Sequence, residues 1–249
     1  FPMSDREASV SWSAGSGIWR SGPLGFGVGY GVLRAMSKRA VALAAMVLVV
    51  AAGTAQADKV TIAALGDSLT QGYGLPQSEG FVPQLQGWLD EAGLETELIN
   101  AGVSGDTTAG GLARVGWTLT DDVDAMIVAL GGNDFLRGID PANSRENLRG
   151  ILEAAQDAEV DVLLVGLASG PNYGPEFKAA FDSMYPDLAA EYDAALFPDF
   201  FEGLQAAAEG GELGAFMQSD GLHPNARGVA AIVEAIGPAV ADLAREAEE

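Results

Sequence analysis

Apolar residues recur along this chain in two alternating rhythms. Nearly continuous apolar runs at 59–65, 125–130 and 160–167 read as buried strands, with a second strand at 95–100 and a weaker fifth at 194–198. Between them, apolar side chains return every three or four residues, the spacing of a helix with one buried face. Phe81, Leu85, Trp88 and Leu89 form such a stripe at 81–92, and Leu148, Ile151, Leu152 and Ala155 form another at 143–158. Helices are also predicted at 107–118 and 175–192. The longest stripe runs through Val229, Ile232, Val233, Ile236, Val240 and Leu243. Glycine closes several segments: Gly66 after the first strand, Gly93 after the helix at 81–92, and Gly131-Gly132 after the third strand.

Strands this apolar, alternating with helices, are buried on both faces of a parallel sheet. The predicted class is α/β: a three-layer α/β/α, flavodoxin-like parallel sheet of about five strands. No internal repeat and no low-complexity linker interrupts 58–249, so that segment is expected to be one domain. In such sheets ligands bind beyond the carboxyl ends of the strands. The polar motifs fall there: Gly66-Asp67-Ser68-Leu69 after the first strand, Ser104-Gly105-Asp106 after the second, and Gly131-Gly132-Asn133-Asp134 after the third.

The first 57 residues follow a different pattern. Met36-Ser37-Lys38-Arg39 precedes an unbroken apolar run at 40–52, which ends in Ala55-Gln56-Ala57. A basic start, a short apolar stretch and an Ala-x-Ala end are the parts of a secretory signal peptide. Residues 36–57 are therefore expected to be removed after Ala57, leaving a periplasmic or secreted protein without a stable membrane anchor. The run is shorter than the roughly 20 residues that span a bilayer. Residues 1–35 are rich in Gly and Ser, show no sustained periodicity, and are expected to be an upstream or non-native extension. Gly25-Phe26-Gly27-Val28-Gly29-Tyr30-Gly31 lacks the G-x-G-x-x-G spacing and the strand–helix setting of a nucleotide loop.

Composition narrows the chemistry. The chain has no cysteine, which removes thiol nucleophiles, disulfides and cysteine zinc sites, and its one histidine, His223, rules out a multi-histidine metal site. With 13 basic against 35 acidic residues the formal charge is −22, a surface that repels nucleic-acid backbones.

Ser68 follows a buried strand, where its hydroxyl can face the ligand edge of the sheet. A serine needs a base to become a nucleophile. Asp220-Gly221-Leu222-His223 supplies one, with the carboxylate close enough in sequence for Asp220 to hold the second ring nitrogen of His223. That is the nucleophile, base and orienting acid of acyl hydrolysis. Three donors are available for an oxyanion: the backbone N–H of Ser68, the backbone N–H of Gly105 and the side-chain amide of Asn133. Singly, each residue also has an ordinary reading: Ser68 as a helix cap, Asp220, Gly105 and Asn133 as turn residues, His223 as a surface histidine. Asp67 and Asp134 are expected to bond local backbone rather than do chemistry.

The four motifs, in this order, resemble the GDSL or SGNH hydrolase family. The likeness extends to Leu136-Arg137-Gly138, Pro171-Asn172-Tyr173-Gly174 and Met217-Gln218, and covers essentially all of 58–240. It is similar to the bacterial branch of multifunctional thioesterases, lysophospholipases and arylesterases. The resemblance implies a catalytic triad of Ser68, His223 and Asp220, an oxyanion hole of Ser68, Gly105 and Asn133, and no cofactor or metal. Substrates would be small acyl esters or thioesters. Ser169-Gly170 departs from the bulkier or proline residues of many relatives and bears on acyl-chain preference. A carbohydrate O-acetyl esterase would use the same constellation. A flavodoxin-like flavin or nucleotide binder would share the sheet but needs a phosphate-cradling loop, and G-x-x-x-x-G-K-[ST] is absent. A non-catalytic binding protein would have no need of all these polar roles at once.

Overall fold

The structure is a computed structural model that describes residues 59–208 and 211–248. The predicted extension at 1–35 and signal peptide at 36–57 lie outside the described residues. The chain alternates strand and helix: β1 (Val60–Gly66), α1 (Ser68–Gln71), α2 (Phe81–Glu91), β2 (Thr96–Gly102), α3 (Thr108–Thr118), β3 (Ala125–Ala129) and α4 (Gly132–Leu136). It continues through α5 (Pro141–Asp157), β4 (Asp161–Val165), α6 (Pro175–Tyr192), β5 (Ala195–Phe197), α7 (Glu202–Ala207) and α8 (Ala226–Glu246). All four strand pairings are parallel, and the sheet order is β2-β1-β3-β4-β5. This is the α/β fold of five parallel strands that the apolar rhythm predicts.

Alternate residues of each central strand feed opposite cores, as the two-residue period of a strand requires. Ile62 and Ala64 of β1, Ala125 and Ile127 of β3, and Leu163 and Val165 of β4 pack on one face, against Phe81, Leu85 and Leu89 of α2 and the apolar stripe of α8. Ala63 and Leu65, Met126 and Val128, and Val162 and Leu164 pack on the other, against Val115 of α3, Leu148, Ile151 and Leu152 of α5, and Phe181, Met184 and Leu188 of α6. The three central strands are therefore covered twice. The edge strand β2 is not: Glu97 and Asn100 are exposed, which explains the weaker apolar signal there. No helix among the described residues is long and apolar enough to cross a membrane.

Most element ends shift by one or two residues from the sequence reading, and two of these shifts have a clear local reason. Helix α5 begins at Pro141 rather than 143, because Asp140 caps it by accepting from Ala142 N at 2.9 Å and proline suits the first turn. Strand β4 ends at Val165 rather than 167, as the chain turns away and Gly166 N donates to Phe197 O and Gly166 O accepts from Phe200 N. Short helices α1, α4 and α7, of four, five and six residues, are too brief to show a periodicity. Two of them start directly beyond β1 and β3.

Strand order reverses between β1 and β3. The connection after β1 leads to β2 on one side and the connection after β3 leads to β4 on the other, so a crevice opens at their carboxyl ends. Gly131 makes the turn out of β3. It sits at φ +123, and a Cβ there would run into the Tyr185 hydroxyl, which donates to Leu130 O at 3.0 Å.

Candidate active site

Two loops meet over the crevice. The first is the β1–α1 turn. Asp67 caps α1 by accepting from Leu69 N at 3.0 Å, which places Ser68 at the first helical position. The second is the turn that precedes α8. Asp220 Oδ1 accepts from both Leu222 N (2.9 Å) and His223 N (3.0 Å), while Gln218 N donates to His223 O at 2.8 Å. Asn225 then caps α8 through Arg227 N and Gly228 N. One carboxylate oxygen thus folds the turn and leaves the other free for the ring.

That second oxygen, Asp220 Oδ2, lies 2.7 Å from His223 Nδ1, and His223 Nε2 lies 2.9 Å from Ser68 Oγ. An ionised carboxylate only accepts, so Nδ1 carries the proton and donates to Asp220. Nε2 is left with a lone pair to accept from the serine hydroxyl. The hydrogen bond from His223, together with those from its backbone and that of Leu222, holds the Asp220 carboxyl down at about 2. It is therefore ionised at neutral pH.

Gly105 and Asn133 line the same cleft as Ser68. Gly105 sits at φ +85, a backbone conformation that favours glycine, and its carbonyl accepts from Arg137 NH2 at 2.7 Å. Among the described residues, neither Ser68 N nor Gly105 N has a hydrogen-bond acceptor. Asn133 is engaged: its Nδ2 donates to Asp106 O at 2.8 Å and to Asp67 Oδ2 at 3.2 Å. The sequence reading treated that amide as free, yet two acceptors already hold it.

The two further carboxylates act over longer distances than expected. Asp67 does cap its own turn, but it also receives the Asn133 amide. Asp134 makes no local bond. Fully buried, it accepts from Thr108 N (2.8 Å), Thr108 Oγ1 (2.5 Å) and Ser144 Oγ (2.8 Å), tying α4 to the starts of α3 and α5. Burial pushes the Asp67 carboxyl up to about 6, against the bonds from Leu69 N and Asn133 that favour its ionised form.

The cleft holds about 470 Å³, and its walls beyond Ser68 are mainly apolar, Leu167, Phe201, Leu204, Leu213, Met217 and Leu222, with Ser104 and Gln205 as polar exceptions. That is the range of a small-ligand pocket. Tyr73 lies beside the base, its ring centroid 4.7 Å from that of His223, and its carbonyl accepts from Gln218 Nε2 at 2.8 Å. Sequence reading did not mark these wall residues or Tyr73 as cleft lining; for Leu204 and Leu213 the reason is that α7 and the turn at Leu213–Phe216 are too short to show a pattern. It also missed Arg114. A signal existed: Arg114 is the only basic residue between Lys59 and Arg137. Ser169, where the motif departs from relatives, does not line the cleft; its backbone N–H and hydroxyl both donate to Asp182.

Comparison with known proteins identifies the family. Residues 64–231 match the model of the GDSL-like Lipase/Acylhydrolase family. The chain is 40% identical over 191 residues to "Esterase TesA" of Pseudomonas aeruginosa, covering 76% of this chain and 92% of that protein. It is 37% identical over 166 residues to "Thioesterase 1/protease 1/lysophospholipase L1" of Escherichia coli K12, covering 66% of this chain and 76% of the relative. Among solved structures, the SGNH-hydrolase family esterase AlinE4 superposes with a TM-score of 0.61 at 45% identity, over 74% of this chain and 96% of that one.

The Asp67 carboxyl sets a pH signature on stability. Its pKa in the fold is about 6 against an ordinary 3.8, so the folded chain holds this proton more tightly than the unfolded one. Stability from this group is present at low pH and is lost as pH rises from about 4 to about 6, by roughly 3 kcal/mol for a two-unit shift. Asp67→Asn does not titrate. Relative to wild type it should gain up to about 3 kcal/mol between about pH 4 and about pH 7, measured by urea unfolding. A constant difference across that range would show that Asp67 ionises normally in the fold.

Proposed function

We propose that this chain, which belongs to the GDSL-like lipase/acylhydrolase family and is a carboxylic ester hydrolase, works through a Ser68–His223–Asp220 triad and a covalent acyl-enzyme. The observation that carries the reading is the continuous chain of hydrogen bonds from Ser68 Oγ to His223 to Asp220, at 2.9 and 2.7 Å, opening on an apolar cleft.

The mechanism follows from the proton positions. As Ser68 Oγ attacks the acyl carbonyl, His223 Nε2 takes the hydroxyl proton, and the imidazolium so formed is stabilised by ionised Asp220. The carbonyl oxygen gains negative charge and is met by Ser68 N–H, Gly105 N–H and the Asn133 amide. For Asn133 this means exchanging its longer bond, to Asp67, for one to the oxyanion, while the shorter bond to Asp106 O keeps the amide in place. His223 then protonates the leaving alcohol or thiol. In the second half it activates water, which attacks the acyl-serine and frees Ser68.

The cleft selects the substrate class. Its apolar walls suit the hydrocarbon part of an acyl or aryl ester or thioester, and offer few partners to a sugar. Aryl esters, acyl thioesters and lysophospholipids all present such a part. The basic start, apolar run and Ala-x-Ala end of 36–57 support export, with removal of the leader after Ala57.

Three measurements test the proposal. Ser68→Ala should abolish hydrolysis of p-nitrophenyl esters while the circular dichroism spectrum stays that of wild type; a folded mutant with full activity would refute the triad. Asn133→Ala should lower kcat by about 10²–10³ with a much smaller change in KM, since the donor acts on charge that develops in the transition state. Unchanged kcat with chemistry rate-limiting would reduce Asn133 to a turn residue. Material exported from a bacterial host should begin at Asp58 on N-terminal sequencing, and retention of Met36 would overturn the leader assignment.

A further inference from the structure

A charged side chain that does not line the cleft holds the oxyanion loop in place. Arg114, on the second turn of α3, lies under the carboxyl ends of β1 and β2 with its side chain 17% exposed. Each of its three nitrogens serves a different acceptor: Nε donates to Asp106 Oδ2 (2.6 Å), NH1 to Ala101 O (2.6 Å) and NH2 to Gly66 O (2.7 Å). Gly66 ends β1, one residue before Asp67. Ala101 lies at the end of β2. Asp106 follows Gly105. One guanidinium thus joins both strand ends to the loop that carries Gly105.

The loop has its own link to Asn133. Asp106 O accepts the shorter of the two Asn133 bonds, at 2.8 Å, and its carboxylate receives Arg114. The route from Arg114 to the Asn133 amide is therefore two hydrogen bonds through a single residue. Helix α3 is shaped to permit it: Gly110 lies one turn before Arg114, and a Cβ there would stand 2.6 Å from the Asp106 carboxylate. The planar fork of an arginine reaches three divergent acceptors at once, whereas a lysine ammonium on its flexible stem satisfies the carboxylate alone.

We infer that Arg114 is a positioning residue for the oxyanion hole, fixing the Gly105 loop against the strand that carries Ser68 and, through Asp106, orienting the Asn133 amide. The inference rests on the triad and donors proposed above. Arg114 touches neither the cleft nor the triad, so its loss should leave ground-state binding intact. Preorganised donors lose effect with small displacements, of the order of 100-fold in rate for a shift of about 1 Å.

The test is kcat and KM for a p-nitrophenyl ester, with active enzyme counted by fluorophosphonate titration so that unfolded material drops out. Arg114→Met should lower kcat per active site by about 10–100-fold with KM changed less than about threefold, and Arg114→Lys should recover only part of the loss. In an Asn133→Ala background the same Arg114→Met change should cost at least about tenfold less, because part of its target is already gone. If Arg114→Met does not fold, Asp106→Asn keeps the shape, weakens the ion pair and should lower kcat in the same way. Wild-type kcat in the folded variant would make Arg114 a brace of the fold alone, and an equal loss with and without Asn133 would overturn the route through Asp106 to the amide. Activity surviving Ser68→Ala would instead sink the triad, and is read independently of these variants.

Discussion

The site depends on one constraint: the reversal of strand order between β1 and β3. Two neighbouring parallel strands whose connections depart in opposite directions leave a gap that neither connection fills. Ser68 stands at the end of one of these strands and Asn133 at the end of the other, so the sheet ladder itself fixes their spacing. Register pairing of Gly66 with Ala129 leaves little freedom for the residues that follow. Everything else is brought to this gap. The Gly105 loop arrives from the edge strand β2, and the His223 loop arrives on the start of the last helix.

Such a gap collects charge as well as ligand. Asp67 and Asp134 are both buried beside it, in a part of the molecule where an isolated carboxylate is strongly disfavoured. They are tolerated for different reasons. Asp134 is met by three donors, two from Thr108 and one from Ser144, so both its oxygens are hydrogen-bonded. Asp67 has two, one of them the long bond from Asn133, and burial dominates its ionisation. Arg114 is the complementary device: a cation placed on two strand-end carbonyls and one carboxylate, all pointing into the same region.

Sequence made the architecture legible because the central strands are apolar on both faces and the long helices carry clean stripes. Helix 175–192 agrees with the observed Pro175–Tyr192 at both ends. The residues singled out from the strand-end motifs, together with His223, lie around one cleft for the same reason: in a parallel α/β sheet, position in the sequence relative to a strand end is also position in space. What sequence did not reveal was tertiary. Nothing local marks Leu204 or Leu213 as cleft walls, since α7 is six residues long and the turn at Leu213–Phe216 has no partner strand. The engagement of the Asn133 amide by Asp106 O crosses 27 positions, and no periodicity encodes it. Arg114 was visible as a lone cation in an acidic stretch, but its three acceptors are backbone and side-chain oxygens that only the folded loop brings together.

The turn from Gln218 to Asn225 has a consequence of its own. Asp220 folds this turn with one oxygen and holds the imidazole with the other, so acid and base belong to a single eight-residue cassette whose internal geometry does not depend on the sheet. The cassette is attached to the Ser68 side by two polar links, the Ser68–His223 bond and Gln218 Nε2 on the Tyr73 carbonyl. A shift of α8 relative to β1 would therefore change these two links and leave the Asp220–His223 pair intact. The cleft walls on α7 and the Leu213–Phe216 turn lie outside this cassette, so their side chains can change size without touching the Asp220–His223 pair.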